Sequence, residues 1–244
     1  MAGVEQTVQT SFGPVPVYGR FASPDRPLLL VIRGAFPLAD HLDWLTDVFT
    51  EVDVALVHLP GMHTPFVPEP SIERFAAAFD EVLLVLGHRR VVVLGLSMGG
   101  LAAMAMKSPA VAAILLIDTL LSTTSLWPVH SYFVWRALED EALQDWLIRV
   151  CGVVPDGIAN RDYSPLLRSV RTPVGLLTGT ERLGPPGSAT GIPCLLSEED
   201  LTAYRACSWV SVLTIPGAGH DVPTHAPTEF MGALRKLVSV ALAA

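Results

Sequence analysis

Seven short runs dominated by Val, Leu and Ile constrain this fold more than any other feature of the chain. They are Val15–Phe21, Pro27–Arg33, Asp53–His58, Arg90–Leu96, Val111–Asp118, Pro173–Gly179 and Val210–Pro216. A strand with one wet face alternates apolar and polar residues, whereas most of these runs are apolar throughout. Such strands are buried on both faces, which predicts a parallel sheet covered by helices. The intervening stretches carry the helical period. From Ser71, the residues Ile72, Phe75, Phe79, Val82 and Leu86 fall on one helical face. Ser71 is placed to cap the first turn, and Gly87 to end the last in a left-handed conformation. A final helix over about Thr228 to Ala241 repeats the pattern with Phe230, Leu234, Leu237 and Ala241. Strands and helices alternating in this way predict an α/β fold.

One segment breaks the alternation. From Thr119 to about Arg171 there is no clean strand, and Trp127, Tyr132, Phe133, Trp135 and Trp146 gather there. It reads as a helical lid over one end of the sheet. The expected organisation is a single domain over 1–244, with a core of 1–118 and 172–244 and a lid of about 119–171. The stretch from Gly184 to Pro193 reads as a surface loop.

Composition excludes several classes of function. The formal net charge of −8 opposes a phosphate backbone, so nucleic-acid binding is not expected. No run reaches the roughly 18 apolar residues of a membrane span. Met1–Thr10 has no basic flank and no apolar run, so no secretory leader is expected there. Cys151, Cys194 and Cys207 are odd in number and lack CxxC spacing, and read as free thiols of a cytoplasmic protein. No His, Cys and Glu cluster has metal spacing, and no G-x-G-x-x-G follows a strand. No cofactor is expected.

The sharpest chemical signal is Gly95-Leu96-Ser97-Met98-Gly99-Gly100, directly after Val91–Leu94 and directly before the helical run Leu101–Met106. A G-x-S-x-G elbow requires this strand–turn–helix context. The turn must be sharp enough to lift the serine oxygen above the sheet, and Gly95 and Gly99 leave room for the backbone to pass closely. The helix start behind it supplies N–H donors and the positive end of a dipole. A serine hydroxyl needs a base. Of His41, His58, His63, His88, His130, His220 and His225, the best placed is His220, in Gly217-Ala-Gly-His-Asp221 after the last strand. His225 is the weaker choice.

The elbow, the strand order and the Gly-x-Gly-His loop resemble the α/β-hydrolase superfamily over nearly the whole chain. The resemblance implies a mostly parallel sheet and the order nucleophile, acid, base, here Ser97, an acid, and His220. The family's acid commonly stands in Gly-x-x-Asp after the strand that follows the lid. Here that place reads Gly179-Thr-Glu181-Arg182, with arginine where the acid stands. Two candidates remain open, Glu181 and Asp118. Asp118 ends the strand after the nucleophile helix, where acyl-carrier thioesterases of this fold carry their acid. The resemblance also implies an oxyanion hole from the N–H groups of Met98 and Ala35. Gly34 preserves the turn, Phe36 lies beside it, and Arg33 replaces the family's histidine. Arg33 either binds a substrate anion or pairs with a nearby acid. The turn Leu59-Pro-Gly61-Met-His63 and the helix start Ser71-Ile-Glu73 are thioesterase-like, and ordinary esterases share close variants of both.

The function implied is cleavage of a carboxylic ester or thioester through an acyl-enzyme on Ser97. Phe36, Trp127, Phe133 and Trp135 are the expected walls of an apolar acyl site. An acyl-carrier protein or a coenzyme A thioester is one candidate partner. An acidic carrier would need a local basic patch, for which Arg136, Arg149, Arg161, Arg168 and Arg171 are candidates. The alternative is a non-hydrolytic member of the fold, binding a ligand or acting as a lyase or cyclase. A carboxylate nucleophile of the dehalogenase or epoxide-hydrolase kind is disfavoured by Ser97 itself.

Overall fold

A computed structural model describes residues 4–21, 23–35, 42–62, 64, 67–138, 140–181 and 191–243. The first half of the chain runs β1 (Val4–Thr10), β2 (Gly13–Arg20), β3 (Leu28–Ile32), α1 (Leu45–Val48), β4 (Asp53–Val57), α2 (Ile72–Leu86), β5 (Val91–Leu96), α3 (Met98–Ala105) and β6 (Val111–Ile117). An excursion follows: a 3-10 helix (Thr123–Val129), α4 (His130–Ala137), α5 (Glu141–Trp146), a π-helical turn (Leu147–Cys151), the small hairpin β7 (Val153–Val154) and β8 (Gly157–Ile158), and α6 (Ser164–Ser169). The chain then returns to the sheet through β9 (Val174–Gly179), α7 (Glu198–Arg205), β10 (Val210–Ile215), α8 (Val222–His225) and α9 (Pro227–Ala243).

Eight strands form one sheet in the order β1-β2-β4-β3-β5-β6-β9-β10. β4, β3, β5, β6, β9 and β10 run parallel to one another, while β1 and β2 form an antiparallel hairpin whose β2 pairs antiparallel with β4. The α/β-hydrolase architecture expected from the sequence is therefore what the chain adopts. All seven expected strands are present, and β1 is an addition. Its sequence, VEQTVQT, holds only two apolar residues and carries little strand signal.

Burial on both faces explains the apolar runs. Along β3, Leu28, Leu30 and Ile32 enter the core under α2 and α3, and Leu29 and Val31 enter the core on the other side with Phe49 and Phe230. β5 divides in the same way, with Val91 and Val93 on one side and Val92 and Leu94 on the other. Side chains alternate across a strand, so each face needs its own apolar set. α2 behaves as its sequence predicts. Ser71 accepts a hydrogen bond from the Arg74 N–H, Gly87 closes the helix at φ 73°, and the five apolar positions are all buried.

The excursion departs from a purely helical reading, since β7 and β8 pair and Ser122 bridges to Asp162. It is fastened by Trp146, which is fully buried. Its ring stacks on Phe75 of α2 at 5.9 Å, and its Nε1–H donates to the Pro60 carbonyl at 2.9 Å. Among the described residues no helix is long and apolar enough to cross a membrane.

Candidate active site

β5 ends at Leu96 and α3 begins at Met98, which leaves Ser97 alone in the turn with φ 52° and ψ −122°. The Ser97 N–H donates to the Ile117 carbonyl at 2.8 Å, tying the elbow to the end of β6. A Cβ on Gly95 would stand 2.8 Å from the Gly100 nitrogen, so any larger residue would force the turn open. Ser97 is buried, and among the described residues its Oγ has no hydrogen-bond partner.

Asp118 follows β6 directly. Its N–H donates to the Leu177 carbonyl of β9 at 2.8 Å, and its backbone has φ 42°. The side chain is 0% exposed, yet both oxygens are fully engaged. Oδ2 accepts from His220 Nδ1–H at 2.7 Å and from the Leu195 N–H at 2.8 Å. Oδ1 accepts from the Thr178 hydroxyl at 2.7 Å and lies 2.8 Å from the Cys194 sulfur. Burial pushes this carboxyl up. The hydrogen bond and charge of His220, with the bonds from Cys194 and Leu195, outweigh that and hold it below its ordinary value. The pairing through Nδ1 fixes the imidazole with Nε2 pointing away from the acid.

The loop after β10 carries His220. Its N–H donates to the Ile192 carbonyl at 2.9 Å, and Gly217 N–H donates to Thr180 Oγ1 at 3.0 Å. His225 takes a supporting part, accepting from the Gly219 N–H at Nδ1, 3.2 Å away. Sheet order brings these pieces together. β6 lies between β5 and β9, and β10 flanks β9, so Ser97, Asp118 and His220 all leave the same C-terminal edge of parallel strands.

Of the two candidate acids, Asp118 is the one paired with His220. Glu181 is bound through its backbone instead. Its N–H donates to the Ala218 carbonyl at 3.0 Å, and its carbonyl accepts from the Cys194 N–H at 2.6 Å. Both candidates follow adjacent strands, and β6 delivers Asp118 next to Thr178 at the end of β9. Arg182 lies outside the described residues.

Near the elbow, a Cβ on Gly34 would lie 3.2 Å from that of Ser97, so the turn after β3 presses against the elbow. Ala35 is buried there, and Met98 opens α3, where its N–H has no partner within the helix. Phe36 lies outside the described residues, as do His41 and His63. Arg33 is buried and pairs with Asp43, and its guanidinium lies 2.9 Å from His58 Nε2. Of the two readings of Arg33, pairing with a nearby acid is the one realised. His88 faces Asp53 at 3.3 Å, and His130 Nε2 bonds to the Val154 carbonyl at 2.8 Å.

The expected aromatic acyl walls stand in different environments. Phe133 is buried in the main core, while Trp127 and Trp135 are 64% and 57% exposed. Residues two apart on a helix point about 200° apart, so Phe133 and Trp135 leave different sides of α4. Arg149 is held by Asp145 at 2.7 Å, and Arg161 and Arg171 donate to backbone carbonyls. Two site residues escape a sequence reading: Thr178, an unremarkable strand residue, and Cys194, one of three scattered thiols. Among the described residues no group of three metal-ligating side chains occurs.

A family model described as Alpha/beta hydrolase family matches residues 23–233. Comparison with curated protein sequences gives no match. Among solved structures, the carboxylesterase CesB from Bacillus subtilis superposes with a TM-score of 0.70 at 15% identity, covering 98% of this chain and 92% of its own. A thermophilic esterase from Thermogutta terrifontis gives 0.63 at 20% identity, covering 99% of each chain. The N-formylmaleamic acid deformylase from Pseudomonas putida S16 gives 0.63 at 18% identity, covering 95% of this chain and 100% of its own.

Proposed function

This chain belongs to the alpha/beta hydrolase family, and from that premise we propose that it is a serine hydrolase that cleaves a carboxylic ester or thioester. The observation that carries the reading is the buried hydrogen bond from His220 to Asp118 on the strand edge that also bears the strained elbow of Ser97. Ser97 Oγ attacks the substrate carbonyl while His220 Nε2 accepts its proton. Asp118 holds the tautomer and stabilises the imidazolium. The N–H groups of Met98 and Ala35 stabilise the tetrahedral oxyanion. Its collapse expels the alkoxide or thiolate, which takes the proton from His220. Water, deprotonated by the same imidazole, then releases the acid and restores Ser97.

Among the described residues the buried Ser97 Oγ has no hydrogen-bond partner. Catalytic hydrogen bonds are often long in the free enzyme and tighten in the Michaelis complex. The segment 119–171 acts as a lid, fastened at Trp146. Asp118 at the end of β6 favours a thioester of a carrier protein or coenzyme A over a simple ester. That same unbonded hydroxyl supports a second reading, a ligand-binding or lyase role in which Ser97 is no nucleophile.

A fluorophosphonate probe separates the two readings. Wild type is expected to label rapidly at Ser97 by mass spectrometry. Ser97→Ala and His220→Ala abolish labelling, Asp118→Asn slows it by at least about a hundredfold, and Glu181→Gln leaves it near wild type. A folded wild type that does not label would overturn the hydrolase reading. A panel of esters and acyl thioesters then assigns the leaving group.

A further inference from the structure

The carboxylate that holds His220 is itself held by two groups that no sequence pattern marks. Thr178 is the penultimate residue of β9, just before the place where the family resemblance puts the acid loop. Its hydroxyl lies 2.7 Å from Asp118 Oδ1 and 3.0 Å from the Cys194 sulfur. Cys194 lies 2.8 Å from the same oxygen, and the next residue, Leu195, donates its N–H to Oδ2. Thr178 and Cys194 are both buried. Asp118 therefore has two partners on each oxygen, about the full capacity of a carboxylate.

Resting on the triad reading above, we propose that Thr178 and Cys194 are positioning residues for the reaction. They clamp Oδ1 so that Oδ2 stays in line with His220 Nδ1–H. Residues near the end of β9 thus supply the acid's support rather than the acid.

The chemistry of the clamp is that of two neutral donors on a buried anion. Each draws negative charge toward Oδ1 and opposes rotation of the carboxylate about χ2. With one removed, more charge rests on Oδ2 and the imidazolium is held more strongly, so the acidic limb of the rate profile moves to higher pH. The carboxylate also turns more freely, which lowers the plateau. The other titratable groups near this pair are Tyr204, whose hydroxyl bonds to the Thr119 carbonyl, with Asp221 and His225 on the loop of His220. Each stays in place when position 178 or 194 is altered.

The test is the pH dependence of fluorophosphonate labelling in Thr178→Val, Cys194→Ala, Thr178→Ser and Cys194→Ser. The first two are expected to label on the order of tenfold slower, with the acidic limb displaced upward. The serine variants keep a donor and are expected to recover most of the rate. The low-field proton resonance of His220 Nδ1–H reads the same clamp without any turnover, and is expected to move in Thr178→Val and Cys194→Ala. An unmoved limb and resonance in folded variants would overturn the proposal, as would serine variants as impaired as their apolar counterparts. If the apolar variants do not fold, infrared difference between wild type and Cys194→Ser reports the thiol directly. A hydrogen-bonded S–H stretch supports the clamp, and a free one overturns it. Failure of wild type to label would count against Ser97 as nucleophile, while the His220 resonance would still decide the clamp.

Discussion

Ser97 and Asp118 share an uncommon backbone geometry. Among the described residues they are two of only three non-glycine positions with positive φ, the third being Glu69. Such conformations persist where the surroundings over-determine them, and here the tie from Ser97 N–H to Ile117, one residue before Asp118, couples the two turns. The buried ionised Asp118 also has a signature in stability. Its carboxyl is held below the ordinary value, so the folded state favours the anion. That contribution is present above about pH 4 and is lost as pH falls through the folded value. Urea unfolding of Asp118→Asn is expected to lose stability less steeply than wild type on acidification below about pH 4. Ser97 and His220 were legible as residues because local motifs carry them. The carboxylate partner of His220 was not, because the choice between Asp118 and Glu181 depends on which strand end meets the histidine loop, a relation between distant segments.

At the scale of elements, the helix limits of α2 and the strands of the parallel sheet follow from local pattern and capping. The excursion does not, because its parts are held by tertiary contacts. Trp146 illustrates this: on α5 it is one aromatic among several, and only the fold puts it between Phe75 and the Pro60 carbonyl. Trp146→Ala is expected to cost about 3–5 kcal/mol, read as a lowered midpoint in chemical unfolding. Limited proteolysis of the variant is expected to cut within 119–171 before the sheet is lost. Trp127→Ala, at an exposed ring, is expected to change stability by no more than about 0.5 kcal/mol.

Across the whole molecule, the three thiols differ in environment. Cys151 and Cys194 are buried and Cys207 is half-buried. Burial, with the neighbouring Asp118 charge, pushes the Cys194 thiol up to about 11. A disulfide reagent at neutral pH is expected to titrate Cys207 alone in the native protein, and all three thiols in denaturant. Because the folded state favours the protonated Cys194, its contribution to stability is full below about pH 8.5 and declines as pH rises toward about 11. The site also spans the order in which the chain is made. Ser97 and Asp118 flank α3 and β6, but His220 lies 102 residues beyond Asp118, past β9 and β10. A nascent chain that has emerged only through β6 already carries the elbow but has no base to deprotonate it. On the proposed mechanism the serine thus stays chemically quiet during synthesis, and turnover begins only after the last two strands have joined the sheet.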